Sequence, residues 1–221
     1  GACVSRSEPT LFGEEALMQK FETEIAPIDI NHNLWIETLR RAYTGRNRIN
    51  PSQLKKTCAV VGFDIDDFVA NIYSEQDVFN AYVMDQPNYI FNKVLALTLH
   101  FSSGAPKDKI ETFLYSVTLG KSDMVRLKYF RSQIEFLCEL SLKIVPKEAK
   151  EKFNTSELAE YTKKLMMVRA PLVKLYIKLF FGTSTEVPID DLKRMLATTK
   201  EGVALMTASK LRLQANNLFY K

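Results

Sequence analysis

Apolar residues recur at helical spacing along most of the chain. Ile110, Phe113, Leu114 and Val117 fall at i, i+3, i+4 and i+7, the stripe of a helix with one buried face. Val173, Tyr176, Ile177 and Phe180 repeat it. Between such stripes, proline, glycine and short polar clusters act as breakers. Leu11–Ile25 reads as a first helix stopped by Pro27, and Leu34–Tyr43 as a second. Pro51 opens a third through about Val60, because proline suits a first turn. Helices are expected at Asp64–Tyr73 and Asp77–Val83, with a turn at Asp85–Asn88. Phe91–Phe101 follows, then a break at Ser102–Pro106 and the helix of the first stripe. A loop at Leu119–Asp123 leads to a helix holding Phe130, Ile134, Leu137 and Cys138. Pro146 is read as a further breaker, Gly182–Pro188 as a loop, and residues 189–198 and 202–218 as closing helices. Strand-like alternation is confined to single apolar residues in loops. The fold class expected is all-α.

A hydrophobic fraction of 46% and an aromatic fraction of 11% are enough for a real core and argue against disorder. No run of about 18 uncharged apolar residues occurs, so no membrane-spanning helix is expected. Charge is uneven. Residues 1–140 carry 15 Lys/Arg against 18 Asp/Glu, and residues 141–221 carry 15 against 8. The basic final third suits anionic lipid or an acidic partner, and equally a solvated helical surface. No arginine-rich run interleaved with aromatics stands out, so nucleic acid is not an expected partner. Cys3, Cys58 and Cys138 are odd in number and widely spaced, which fits a reducing compartment better than a disulfide framework.

The first residues are Gly1, Ala2, Cys3, Val4, Ser5 and Arg6. After removal of an initiator methionine they match the N-myristoylation pattern, which needs an unhindered terminal glycine and favours Ser or Thr five residues in. Cys3 stands where a second, thioester-linked chain would attach. One myristoyl chain holds a membrane with only about 10⁴ M⁻¹, so a second anchor decides residence. A lipidated tail is therefore expected over residues 1–10.

Four turns share one arrangement: a helix, a polar turn, an isolated apolar residue, then a helix. The isolated residues are Ile49, Ile90, Val125 and Ile189. This resembles the EF-hand, and Lys93–Val117, with its Ser-Ser-Gly-Ala-Pro break, is similar to the linker between the second and third hands of the neuronal calcium sensor and calcineurin-B-like branch. The resemblance implies that the apolar residue at loop position 8 pairs with its twin in the neighbouring loop. It implies two lobes, at residues 11–103 and 104–221, with an extra N-terminal helix, and it agrees with myristoylation. Calcium requires side-chain oxygens at positions 1, 3 and 5 and a bidentate Glu at 12. With the isolated residues at position 8, the turns offer Ala42, Thr44, Arg46 and Gln53; Val83, Asp85, Pro87 and Val94; Thr118, Gly120, Ser122 and Tyr129; and Gly182, Ser184, Glu186 and Lys193. None has an acid at position 1 or 12, so no calcium or other cofactor is expected beyond a covalent myristate. Position 6, where the family uses a left-handed glycine, is Asn47, Asn88 and Asp123, the residue types next most willing to bend that way. Val187 and Pro188 fit the fourth turn badly.

Catalytic patterns are lacking. His32, between two asparagines, reads as a capping turn, and His100, among Leu97, Leu99 and Phe101, as a core or helix-end residue. Cys58 lies in an apolar stretch that suits an inert thiol, and Asp66–Asp67 and Asp190–Asp191 are adjacent, so they diverge on a helix. The expected function is a non-catalytic, calcium-independent adaptor or structural subunit. It is held at the cytoplasmic face of a membrane, or in a mitochondrial or ciliary membrane complex, by its lipid and by protein partners. The rival expectation is a calcium- or lipid-regulated sensor with a myristoyl switch.

Overall fold

The structure, a computed structural model, describes residues 13–25, 30–43, 45, 47–62, 80–83 and 86–220. The helix expected at Asp64–Tyr73, the stop at Pro27, and the lipid acceptors Gly1 and Cys3 lie outside the described residues.

Side-chain caps set several helix starts. Asn31 Oδ1 accepts the Leu34 N–H at 3.1 Å to open α2 (His32–Ala42). Asn50 and Gln53 form a reciprocal capping box before Pro51, opening α3 (Pro51–Val60). Thr155 caps the 26-residue α8 (Ser156–Phe181). The other helices are α1 (Gly13–Ile25), α4 (Phe91–Phe101), α5 (Pro106–Thr118), α6 (Leu127–Glu139), α7 (Val145–Phe153), α9 (Ile189–Thr198), α10 (Lys200–Leu205) and α11 (Ala208–Phe219). The described residues are mostly helical, and none of these helices is long and apolar enough to cross a membrane.

Two expectations change. Pro146 does not end a helix. It lies in the first turn of α7, which continues α6 through a π-helical segment, Leu140–Ile144. The wider π turn relieves the clash between a proline ring and the carbonyl four residues back. Asn80–Val83, expected to end a helix, is instead strand β2, and it pairs antiparallel with β3 (Gln86–Ile90) from Asn80↔Tyr89 to Val83↔Gln86. Asn88 therefore stands in a ladder opposite Ala81, not in a turn. The other edge of β3 carries the two-residue β1 (Arg48–Ile49), giving the order β1-β3-β2. A second ladder joins β4 (Met124–Arg126) to β5 (Glu186–Pro188).

One buried cluster extends from Met18 to Ala215. At its centre Phe130 meets Phe113 edge-on at 5.8 Å and Phe181 at 4.8 Å. Each such side chain contributes about 1.5–3 kcal/mol by leaving water. The stripe of α5 is buried throughout, at Ile110, Phe113, Leu114 and Val117. Helix α1 packs on α7, α8 and α11, so the first described helix rests on helices from residue 145 onward.

Candidate functional site

The paired turns show a common register. The residue four places before a helix gives its carbonyl to the first N–H of the partner unit's helix. Asn47 O accepts from Phe91 at 3.1 Å, Asp123 O from Ile189 at 2.9 Å, and Thr185 O from Leu127 at 2.8 Å. Two residues on, Ile49 faces Tyr89 and Val125 faces Val187. Ile49, Val125 and Val187 are buried and Tyr89 is half-buried.

This corrects half of the expected anchors. Ile90 opposes Arg48 rather than Ile49, and Ile189 has already entered α9. Ile90 is the last residue of β3 and pairs one place off, while β5 ends at Pro188, one residue before Ile189. Asn47 takes a left-handed φ of +54°. In the third turn the reversal falls at Leu119 (φ +52°) and Gly120 (φ +67°), not at Asp123, because α5 ends there with the Leu119 N–H on the Tyr115 carbonyl at 2.6 Å. In the fourth it falls at Gly182 (φ +56°).

With Val187 in the eighth place, the fourth turn presents Phe180, Gly182 and Ser184 first, third and fifth, and Asp191 twelfth. That aspartate accepts from Arg194 at 2.7 Å. In the third turn Thr118 Oγ1 is bound between the Leu114 carbonyl and the Gly120 N–H, and Tyr129 holds the place a bidentate carboxylate needs. In the first turn Gln53 Oε1 accepts the Asn50 N–H within the capping box, and Ala42 holds the first place.

On another face, α8, α10 and α11 enclose a groove of about 590 Å³. Leu175, Val203, Leu213 and Leu218 make its floor, and Lys200, Glu201 and Lys210 stand at its edge. Met167, Pro171 and Leu175 repeat every four residues along α8, so they share one side of that helix. Met167 is 62% exposed, and Tyr220, 68% exposed, closes the end of α11 where Lys164 donates to its hydroxyl at 3.3 Å. The wall is set by a close crossing: Gly202 lies against the backbone of Leu196, and Thr199 Oγ1 accepts the Gly202 N–H at 3.1 Å. Tyr176 Oη, 2.6 Å from Gln214 Oε1, ties α8 to α11 beneath the groove.

Buried polar side chains pin the C-terminal helices to the body. His100 Nε2 lies 3.0 Å from the Leu205 carbonyl and its Nδ1 2.8 Å from Ser141 Oγ. Lys109 Nζ donates to Leu99 O at 2.6 Å and Met206 O at 3.4 Å. Burial lowers the Lys109 ammonium to about 8. His32 bridges Ser102 Oγ (2.7 Å) and Thr112 Oγ1 (2.9 Å). Burial pulls His32 down to about 4 and His100 to about 3, so both are neutral struts at physiological pH. Cys58 and Cys138 are buried, and burial pushes the Cys138 thiol up to about 12.

Arg212 on α11 is a fully buried charge. Its Nε and Nη2 donate to Glu15 at 2.7–3.1 Å, and its Nη1 and Nη2 to Glu22 at 2.6 and 3.0 Å. Tyr161 Oη donates to Glu15 Oε2 at 3.0 Å. This cluster is absent from the sequence expectations, although Ala208, Leu211 and Ala215 place Arg212 on the apolar face of its helix, which is a readable signal.

No family model matches the chain, and neither a curated protein nor a solved structure does.

Proposed function

We propose that the chain is a non-catalytic, calcium-independent EF-hand-like adaptor that binds partner proteins within a larger membrane-associated assembly. One observation carries this reading. At two places a strand that runs into a helix meets its twin across a short antiparallel ladder, as in paired hands, while in the first and third turns the ligand-place oxygens of Gln53 and Thr118 are bound within their own turns. A pair built that way holds its helices by packing and has no ion with which to open or close.

The groove between α8, α10 and α11 supplies the binding face, since it is lined by Leu175, Val203, Leu213 and Leu218, and Met167, on the side of α8 that carries Leu175, is exposed beyond it. The non-catalytic part rests on the imidazoles: both are buried struts between helices, and neither lines that groove. Calorimetry with calcium tests the reading. No binding heat is expected at micromolar calcium, and a micromolar, proton-independent heat overturns it in favour of a calcium-regulated sensor. A lipid tether at Gly1, with Cys3 as a second acceptor, is a separate proposal carried by the sequence pattern. The intact mass of the native protein, with or without one fourteen-carbon acyl chain, decides it.

A further inference from the structure

We propose that the cleft filled by α1 is a helix-binding site that reads two carboxylates seven residues apart, and that α1 is its resident occupant. The partner it fits is an amphipathic helix with the same acid pair, which takes the cleft when α1 leaves.

The contact of α1 is unusual in its chemistry. Its buried residues are two apolar side chains, Met18 and Phe21, and two acids, Glu15 and Glu22. The acids lie on one face two turns apart, and between them they engage all three nitrogens of the Arg212 guanidinium. Gln19 Nε2 adds a bond to Ser209 Oγ at 2.8 Å, and outside the cleft Lys152 pairs with Glu24.

The cation belongs to the body of the protein. Helix α11 and the segment before it are held without α1, through Tyr176 to Gln214, His100 to Leu205 and Lys109 to Met206. When α1 leaves, Arg212 remains in the cleft wall and needs a counter-charge. An apolar helix would bury it unpaired, which is strongly unfavourable. A helix with a single acid would leave half of the fork unused. Selectivity therefore comes from rejection as much as attraction. The matching helix has its acids at places 1 and 8 and apolar residues at 4 and 7, as Glu15, Glu22, Met18 and Phe21 stand in α1. This goes beyond the adaptor reading and needs neither the groove nor the calcium argument.

The test uses the full-length chain and a fluorescent peptide of residues 13–25. In a Glu15→Gln/Glu22→Gln chain the resident helix loses its charges, and the added peptide is expected to bind at least tenfold more tightly than to the wild type. The same peptide with both acids replaced by Gln should bind at least tenfold more weakly, and adding Arg212→Met should abolish the preference. Equal binding of the two peptides, or none to a variant with a native near-ultraviolet spectrum, overturns the proposal. Hydrogen exchange on the wild type covers the case in which the variant does not fold. The α1 amides should exchange by local opening while those of α11 stay protected, and exchange of both only with global unfolding overturns the proposal. A calcium heat with peptide binding intact would sink the adaptor reading and leave this one standing.

Discussion

Asn47 reaches across the first pair of turns to Asn92: its Oδ1 accepts the Asn92 N–H at 2.9 Å, and its Nδ2 donates to Asn92 Oδ1 at 3.1 Å. Its own N–H meets Tyr43 Oη at 3.1 Å, and the Tyr43 ring stacks on Phe91 at 4.1 Å. One left-handed residue thus joins the end of α2 to the start of α4. Asn47→Ala removes both side-chain bonds and strains the backbone, at an expected cost of about 1–3 kcal/mol in urea unfolding. Asn47→Gly keeps the backbone conformation and should fall between the two. Equal loss in both variants would show that the bend contributes nothing.

Arg212 is expected to be the most sensitive polar position. Arg212→Ala leaves Glu15 and Glu22 facing each other in the core, and the expected loss is about 3–5 kcal/mol. Replacing all three together, as Glu15→Gln/Glu22→Gln/Arg212→Met, should recover most of it, because no buried charge is then left alone. Thermal unfolding of the two chains side by side decides the point.

Acid should weaken the fold through its imidazoles. Burial, with the Lys109 ammonium second, holds His32 near 4, and burial chiefly holds His100 near 3. An unfolded histidine takes up its proton at about 6.5. Between about pH 6.5 and 4 the unfolded chain thus binds more protons than the folded one, and stability falls as pH falls. Each imidazole contributes a slope of up to about 1.4 kcal/mol per pH unit. Urea midpoints at pH 7.5, 6 and 5 should show it, and His100→Gln should flatten the slope by one imidazole's share. An unchanged slope would refute the assignment.

Gly202 should not tolerate a side chain. A Cβ there would stand 2.5 Å from Leu196 Cα, with the Leu196 carbonyl closer still. Gly202→Ala must push α10 away from α9, moving Val203 and Ala204 at the groove wall. At least about 1–3 kcal/mol of overpacking is expected, read as a lower melting temperature. A melting temperature within a degree of wild type would mean the crossing is looser than described.

What could be read in advance follows from how local each signal is. The stripe from Ile110 to Val117 declares its helix because every residue needed lies within two turns. The polar turns, with an apolar residue after each, are equally visible, since Ile49 stands just before the helix that Pro51 opens and Val125 just before one marked by its apolar spacing. Ladder register is another matter. Whether Ile90 or Tyr89 faces Ile49 depends on a strand elsewhere in the chain, and β2 and β3 together are too short for alternation to separate them from helix. Pro146 was misleading because a π segment absorbs its ring, and no residue in Leu140–Ile144 announces that widening. The Arg212 cluster is non-local in the same sense: its acids stand 190 and 197 residues away.

That separation has a consequence for biosynthesis. Glu15 leaves the ribosome 197 residues ahead of the guanidinium that neutralises it, so α1 has no cation for its acids while those residues are being made. Until α11 emerges the two carboxylates of α1 lack their buried cation, although α1 can already rest on α7 and α8. The charged part of this contact therefore closes only after α11 has been made, and any factor that meets α1 earlier meets its acids without their guanidinium.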